Sequence, residues 1–254
     1  MINTHQFDTK LDSGVAAAKL GGGAIAASIA RRGHANVVVA TGASQFEMLD
    51  HLTAMPDIDW SRVSAFHLDE YVGIAPDAKA SFRRYLRERF TSKLPQLGSF
   101  TFIDGDAKDL DQEIARLNAL LDDSPIDVMF AGIGENGHLA FNDPPADFTS
   151  TTAYKRVELD LACRQQQVRE GWFPDLDAVP RQAVSMTVQR ILSSGIIVVT
   201  VSDDRKADAV QKVLEGPETN LCPASILRRH ESCHLFLDRS AASRLTGRVA
   251  DAHA

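Results

Sequence analysis

Cysteine is scarce in this 254-residue chain: Cys163, Cys222 and Cys233 are odd in number, and none is spaced as a CxxC pair. That pattern argues against a disulfide framework or a zinc cage and suits a reducing compartment, the cytoplasm. Positive charge is also short. With a formal net charge of −7, no nucleic-acid partner is expected, and only a local basic pocket remains for anions. The apolar runs fall short of a membrane span, so no membrane partner is expected. The N-terminus Met-Ile-Asn-Thr-His-Gln-Phe-Asp lacks the charged and apolar regions of a signal peptide. There is no internal repeat and no low-complexity tract. What is present, 44% hydrophobic and 24% charged residues, predicts one globular domain over 1–254 with a single sizeable core.

Short apolar runs alternate with helical patterns. Residues 35–40, 62–68, 100–103, 126–131, 195–201 and 234–237 read as strands. Helices are expected over 13–32, from 44 to about 54, and over 81–93, 109–121, 187–192, 204–214 and from Pro223 onward. Gly21-Gly22-Gly23 weakens the continuity of the first, and the residues after Asp238 read as a helix and tail. This alternation predicts an α/β, Rossmann-like fold, a mostly parallel sheet with helices on both faces. Residues 146–182 break the rhythm, with a strand expected over 154–160 and a polar run over 163–173. They form a candidate lid or inserted segment.

Ligands of such sheets bind outside the carboxyl ends of the strands, and four polar clusters fall there. Thr41-Gly42-Ala43-Ser44 offers backbone N–H groups and two hydroxyls to a phosphate, but Ser44 with Glu47 also reads as a plain capping box. Asp69-Glu70-Tyr71 follows a strand. Alternation should turn one carboxylate into the crevice, where burial raises its pKa and makes it a base, while a solvated turn is the competing reading. Gly132-Ile-Gly134-Glu-Asn-Gly137 imitates a dinucleotide fingerprint, but Pro144 and Pro145 leave no room for the helix that fingerprint requires. In that loop His138 and Asp143 pair a proton donor with an orienting carboxylate. His67, Asp69, His138 and Asp143 could converge on a metal, yet no HExxH or His-x-His pattern supports one, and no metal is expected. Lys206 is either a solvated cation or a point charge for phosphate, and Arg164 or Arg169 could close over an anion.

Together these residues resemble the glucosamine-6-phosphate deaminase family, which includes lactonase-type relatives. The resemblance runs in order from about residue 15 to 238, through the Thr-Gly-x-Ser loop at 41–44, Asp-Glu-Tyr-Val-Gly at 69–73, the glycine-histidine motif at 132–144 and the late Lys206. It implies conversion of an aminosugar 6-phosphate, such as glucosamine 6-phosphate, to a ketose 6-phosphate plus ammonia, without a cofactor. Galactosamine 6-phosphate fits the same pattern. It further implies Asp69 as the base moving a proton from C2 to C1, His138 as the ring-opening acid, and Asp143 as its acidic partner. Asn136 stands at a catalytic position that is Asp in some members. Thr41, Gly42, Ala43, Ser44, Lys206 and a lid arginine, best matched by Arg169, would hold the phosphate. Family members often form homo-oligomers. Asp143 departs from the usual Glu, and Asn136 cannot ionise. A 6-phosphogluconolactonase-like hydrolase, with His138 activating water, and a sugar-phosphate sensor without turnover are the competing readings.

Overall fold

The computed structural model describes residues 2–122 and 124–247. Its strands are β1 (Asn3–Phe7), β2 (Ala35–Val39), β3 (Val63–His67), β4 (Asp69–Tyr71), β5 (Ser99–Thr101), β6 (Val128–Ala131), β7 (Tyr154–Glu158), β8 (Gln182–Met186), β9 (Ile196–Val201) and β10 (Cys233–Asp238). The helices are α1 (Lys10–Arg32), α2 (Phe46–Leu52), α3 (Phe82–Arg89), α4 (Leu110–Leu121), α5 (Leu161–Arg169), α6 (Val188–Leu192) and α7 (Ala207–Glu215). Seven strands form one parallel sheet in the order β1-β10-β9-β6-β2-β3-β5, and β4-β8-β7 form a small antiparallel sheet. The α/β expectation is met.

The central strands are apolar throughout because helices cover both sheet faces: β2 and β6 are buried at every position. One core lies on the face of Val38, Met129, Val199 and Leu235, the other on the face of Val37, Phe130, Val198 and Phe236. α1 is a single helix despite its glycines. Thr9 caps its start by accepting from the Asp12 amide, and Gly33 ends it at φ 81°. The glycines are where it lies flush on its neighbours: a Cβ on Gly21 would come within 2.4 Å of Phe130, and one on Gly22 within 2.4 Å of the Met55 sulfur. Close packing thus offsets the ~1 kcal/mol that glycine costs a helix. By length and composition α1 is also apolar enough to span a membrane; here Ala17, Ala18 and Ile25 are fully buried in the core.

Four features differ from the sequence expectation. β1, with the polar sequence Asn-Thr-His-Gln-Phe, extends the sheet beside β10. β8 begins at the last residue of the irregular 146–182 segment, where no strand is expected, and joins β7 to β4. After Leu68 the chain leaves the large sheet, so Asp69–Tyr71 is a strand of the small one rather than a turn. Residues 239–247 make turns instead of a helix, and the tail after 247 lies outside the described residues.

Strand order reverses at β6. β2, β3 and β5 run outward on one side, and β9 and β10 on the other. A crevice opens at such a switch point, outside the carboxyl ends.

Candidate active site

A cavity of about 530 Å³ fills that crevice. Its walls are the loops after β2, β6 and β9, the start of β4, and Gln166, Gln167, Glu170 and Trp172 from the 146–182 segment. All four polar clusters contribute to it.

One end gathers the Thr41–Ser44 loop and Lys206. Ala43–Gln45 is a 3-10 turn entered through Gly42 at φ 110°, and no side chain caps it. The capping box does not form. Ser44 Oγ accepts from the Ser202 amide and hydroxyl, both at 3.2 Å, while Glu47 pairs with Lys10 at 2.9 Å. Two latches fix the loop: Gln45 Nε2 donates to the Ala131 carbonyl at 3.1 Å, and the Tyr85 hydroxyl donates to the Gly42 carbonyl at 2.9 Å. Across from it, Lys206 sits buried in the Asp204–Lys206 turn. Burial lowers its pKa, and Glu170, with an oxygen 3.5 Å away, opposes that shift.

Asp69 lines the cavity at 5% exposure. Burial, then the neighbouring charge of Glu70, pushes its carboxyl well above the usual carboxylate range. Glu70 points the other way, as strand alternation requires. It accepts from the amides of Tyr71, Phe82 and Arg83 and from the Ser81 hydroxyl, bonds that cap α3. The pair is therefore divided into one carboxyl facing the cavity and one structural carboxylate, and the solvated-turn reading is excluded.

His138 also lines the cavity, and its Nδ1 is 3.1 Å from Asp143 Oδ1. Asp143 and Asn136 do not line the cavity; they stand behind the histidine. Asn136 Nδ2 donates to Asp143 at 3.2 Å and to Asp160 at 3.1 Å, and Asn136 Oδ1 accepts from the His138 amide at 3.0 Å. Burial raises the Asp143 pKa, but the His138 contact, the Asp160 amide and Asn136 outweigh it, so the carboxyl stays ionised below its ordinary range. The shorter Asp143 side chain thus reaches His138. Asn136, whose loss of a carboxylate left its role open, is a hydrogen-bonding brace for this pair. Gly134 lies against the imidazole: a Cβ there would fall 2.2–2.4 Å from three ring atoms. No helix opens at Gly137, the next being α5 at Leu161, so the dinucleotide reading fails.

Two expectations about partners change. His67 is fully buried, accepts from the Ile103 amide at 3.4 Å, and is lowered to about 3 by burial and by Arg83; it is not grouped with His138 and Asp143. Among the described residues the candidate ligand cluster is His138, Asp143 and Cys163 instead, with donor atoms within 4.8 Å of one another. Arg169 is not a cavity residue either. It is half exposed and paired with Glu135 at 2.5 Å, while Arg164 donates to the carbonyls of Leu176 and Val179. The segment instead presents Glu170, Gln166 and Gln167 to the cavity. Gln166 and Glu170 share a helix face at i, i+4 spacing, the one sequence signal that could have found them. Gln45 and Tyr85 carried no such signal.

The sequence model of glucosamine-6-phosphate isomerases/6-phosphogluconolactonase matches residues 12–235. The chain is 38% identical over 208 residues to a glucosamine-6-phosphate deaminase of Lacticaseibacillus paracasei, covering 82% of this chain and 86% of that one. It is 32% identical to a glucosamine-6-phosphate deaminase of Streptococcus equi, covering 89% and 96%. Its fold superposes with TM-score 0.85 on a solved monomeric glucosamine-6-phosphate deaminase, at 31% identity over 95% of this chain and 99% of that one. A 6-phosphogluconolactonase of Trypanosoma brucei shares the fold at TM-score 0.79 and 15% identity, covering 97% and 99%.

Proposed function

The chain belongs to the glucosamine-6-phosphate isomerase/6-phosphogluconolactonase family, and we propose that it is an aminosugar-phosphate deaminase, turning glucosamine 6-phosphate and water into fructose 6-phosphate and ammonia. One observation carries this reading: a buried carboxyl, a carboxylate-backed histidine and an anion-binding end share a single cavity.

The phosphate is held by the Thr41–Ser44 loop and Lys206, which fixes the sugar at a distance from the reacting carbons. His138 opens the pyranose by delivering a proton to the ring oxygen as the C1 hydroxyl loses one. Asp143 positions the ring through Nδ1, leaving Nε2 for the substrate. Asp69 takes the proton from C2 and returns it to C1, while the C1 oxygen gains the proton that the nitrogen gives up, so the aldehyde becomes a hydroxymethyl group and the C2 amine an imine. Water then adds to C2 and ammonia leaves, giving the ketose. A buried carboxyl with a raised pKa suits this step, because its basicity is nearer that needed to move a carbon-bound proton than an ordinary carboxylate's. The steps are ring opening, proton transfer, addition of water and loss of ammonia, so the scheme requires neither metal nor organic cofactor.

Purified protein incubated with glucosamine 6-phosphate should release ammonia and fructose 6-phosphate in equal amounts. Hydrolysis of 6-phosphogluconolactone without ammonia release would assign the lactonase reaction, which has no task for Asp69. Binding of the aminosugar phosphate with no product would assign a sensor.

A further inference from the structure

The anion-binding end of the cavity contains an anion of its own. Glu170 follows α5 directly, and its side chain is 13% exposed. Its Oε1 lies 3.5 Å from Lys206 Nζ and accepts from Gln166 Nε2 at 2.8 Å; its Oε2 accepts from the Trp172 indole at 3.2 Å. Among the described residues Glu170 is the ion-pair partner of Lys206, whose side chain is 8% exposed. Both neutral donors belong to the 146–182 segment, so the carboxylate is fastened to that segment and reaches across the cavity to the lysine.

A phosphate dianion needs the same lysine. Two anions around one poorly solvated cation repel each other, so Glu170 must withdraw for the phosphate to take full advantage of Lys206. We propose that Glu170 is a resident competitor for Lys206: it neutralises the lysine in the empty cavity, yields it to phosphate, and so sets the affinity for phosphorylated ligands. Its release also frees the 146–182 segment from Lys206, which ties phosphate binding to the position of that segment. This rests on the phosphate reading of the Thr41–Ser44 and Lys206 end, but not on the deamination chemistry.

Glu170→Gln keeps the side chain's size and its acceptor for Trp172 while removing the charge. Calorimetric titration with inorganic phosphate should show Kd falling about tenfold, ~1.4 kcal/mol. KM for glucosamine 6-phosphate should fall by a similar factor, with the gain in KM rather than kcat, and unphosphorylated glucosamine should gain nothing. In a Lys206→Met background the gain should vanish. Phosphate binding that is unchanged or weaker in folded E170Q, or a gain that survives K206M, overturns the proposal. Should E170Q fail to fold, Glu170→Ala must show the same direction. If the unaltered protein binds phosphate but releases no ammonia, the proposed reaction fails while these titrations still decide the role of Glu170. If it binds no phosphate at all, both fail.

Discussion

Gly134 should be as important to turnover as the histidine it touches. A methyl group there would lie 2.2 Å from His138 Cε1, 2.3 Å from Nε2 and 2.4 Å from Nδ1. Ordinary contact begins near 3.4 Å, so in Gly134→Ala the imidazole must retreat by about 1 Å, the scale of misplacement that costs ~100-fold in rate. The 3.1 Å approach to Asp143 supports the ring, and a shift of that size disrupts it. Overpacking should cost ~1–3 kcal/mol, or about 2–4 °C in Tm for each kcal/mol in a chain of this size. KM should change little, because the phosphate end is untouched. The assay is steady-state ammonia release, with thermal unfolding in parallel. Gly23→Ala is the control: it faces open space on α1 and should stabilise by up to ~1 kcal/mol with full activity. A G134A enzyme whose kcat stays within about threefold of the parent would refute the placement of His138 in the reaction.

Tyr85→Phe removes the latch on the Gly42 carbonyl and should raise KM several-fold with kcat largely kept, at ~0.5–1.5 kcal/mol of stability; an unchanged KM would detach the loop from phosphate binding. Asp69 binds its proton more tightly folded than unfolded, so its contribution to stability is complete below the unfolded carboxyl pKa and is lost as pH rises through the raised folded value. Asp69→Asn should therefore gain Tm relative to the parent as pH rises from 4 to 9; a pH-independent difference would contradict the burial. Asp143 has the opposite sign: its contribution is present above the unfolded pKa and is lost as pH falls through the lowered folded value. Asp143→Asn should be most damaging to stability near neutrality and converge with the parent in acid.

The alternation of apolar strands and amphipathic helices made the main sheet legible, because strands buried on both faces must be apolar. β1 escaped since an edge strand with one neighbour tolerates Asn-Thr-His-Gln. β8 escaped because Ala, Ser and Gln carry no strand period, its pairing coming from β4 and β7 on either side. The division of Asp69 from Glu70 followed from period-two alternation alone. Ser44 was ambiguous in sequence because a cap and a phosphate loop use the same residue type; only its bond to Ser202, 158 residues away, separates them. The exchange of Arg169 for Glu170 in the cavity had the same origin. Adjacent residues on a short helix point about 100° apart, and sequence spacing could not say which of the two faced Lys206.

The central claim is that Asp69 moves the substrate's C2 proton. Turnover of glucosamine 6-phosphate by the parent and by Asp69→Asn, with products followed by proton NMR in D2O, tests it most directly. The parent should convert substrate to fructose 6-phosphate and ammonia. The variant should still bind inorganic phosphate, yet lose that conversion by ~1,000-fold, within the range a general base contributes. Ammonia release by folded D69N at the parental rate would contradict the account.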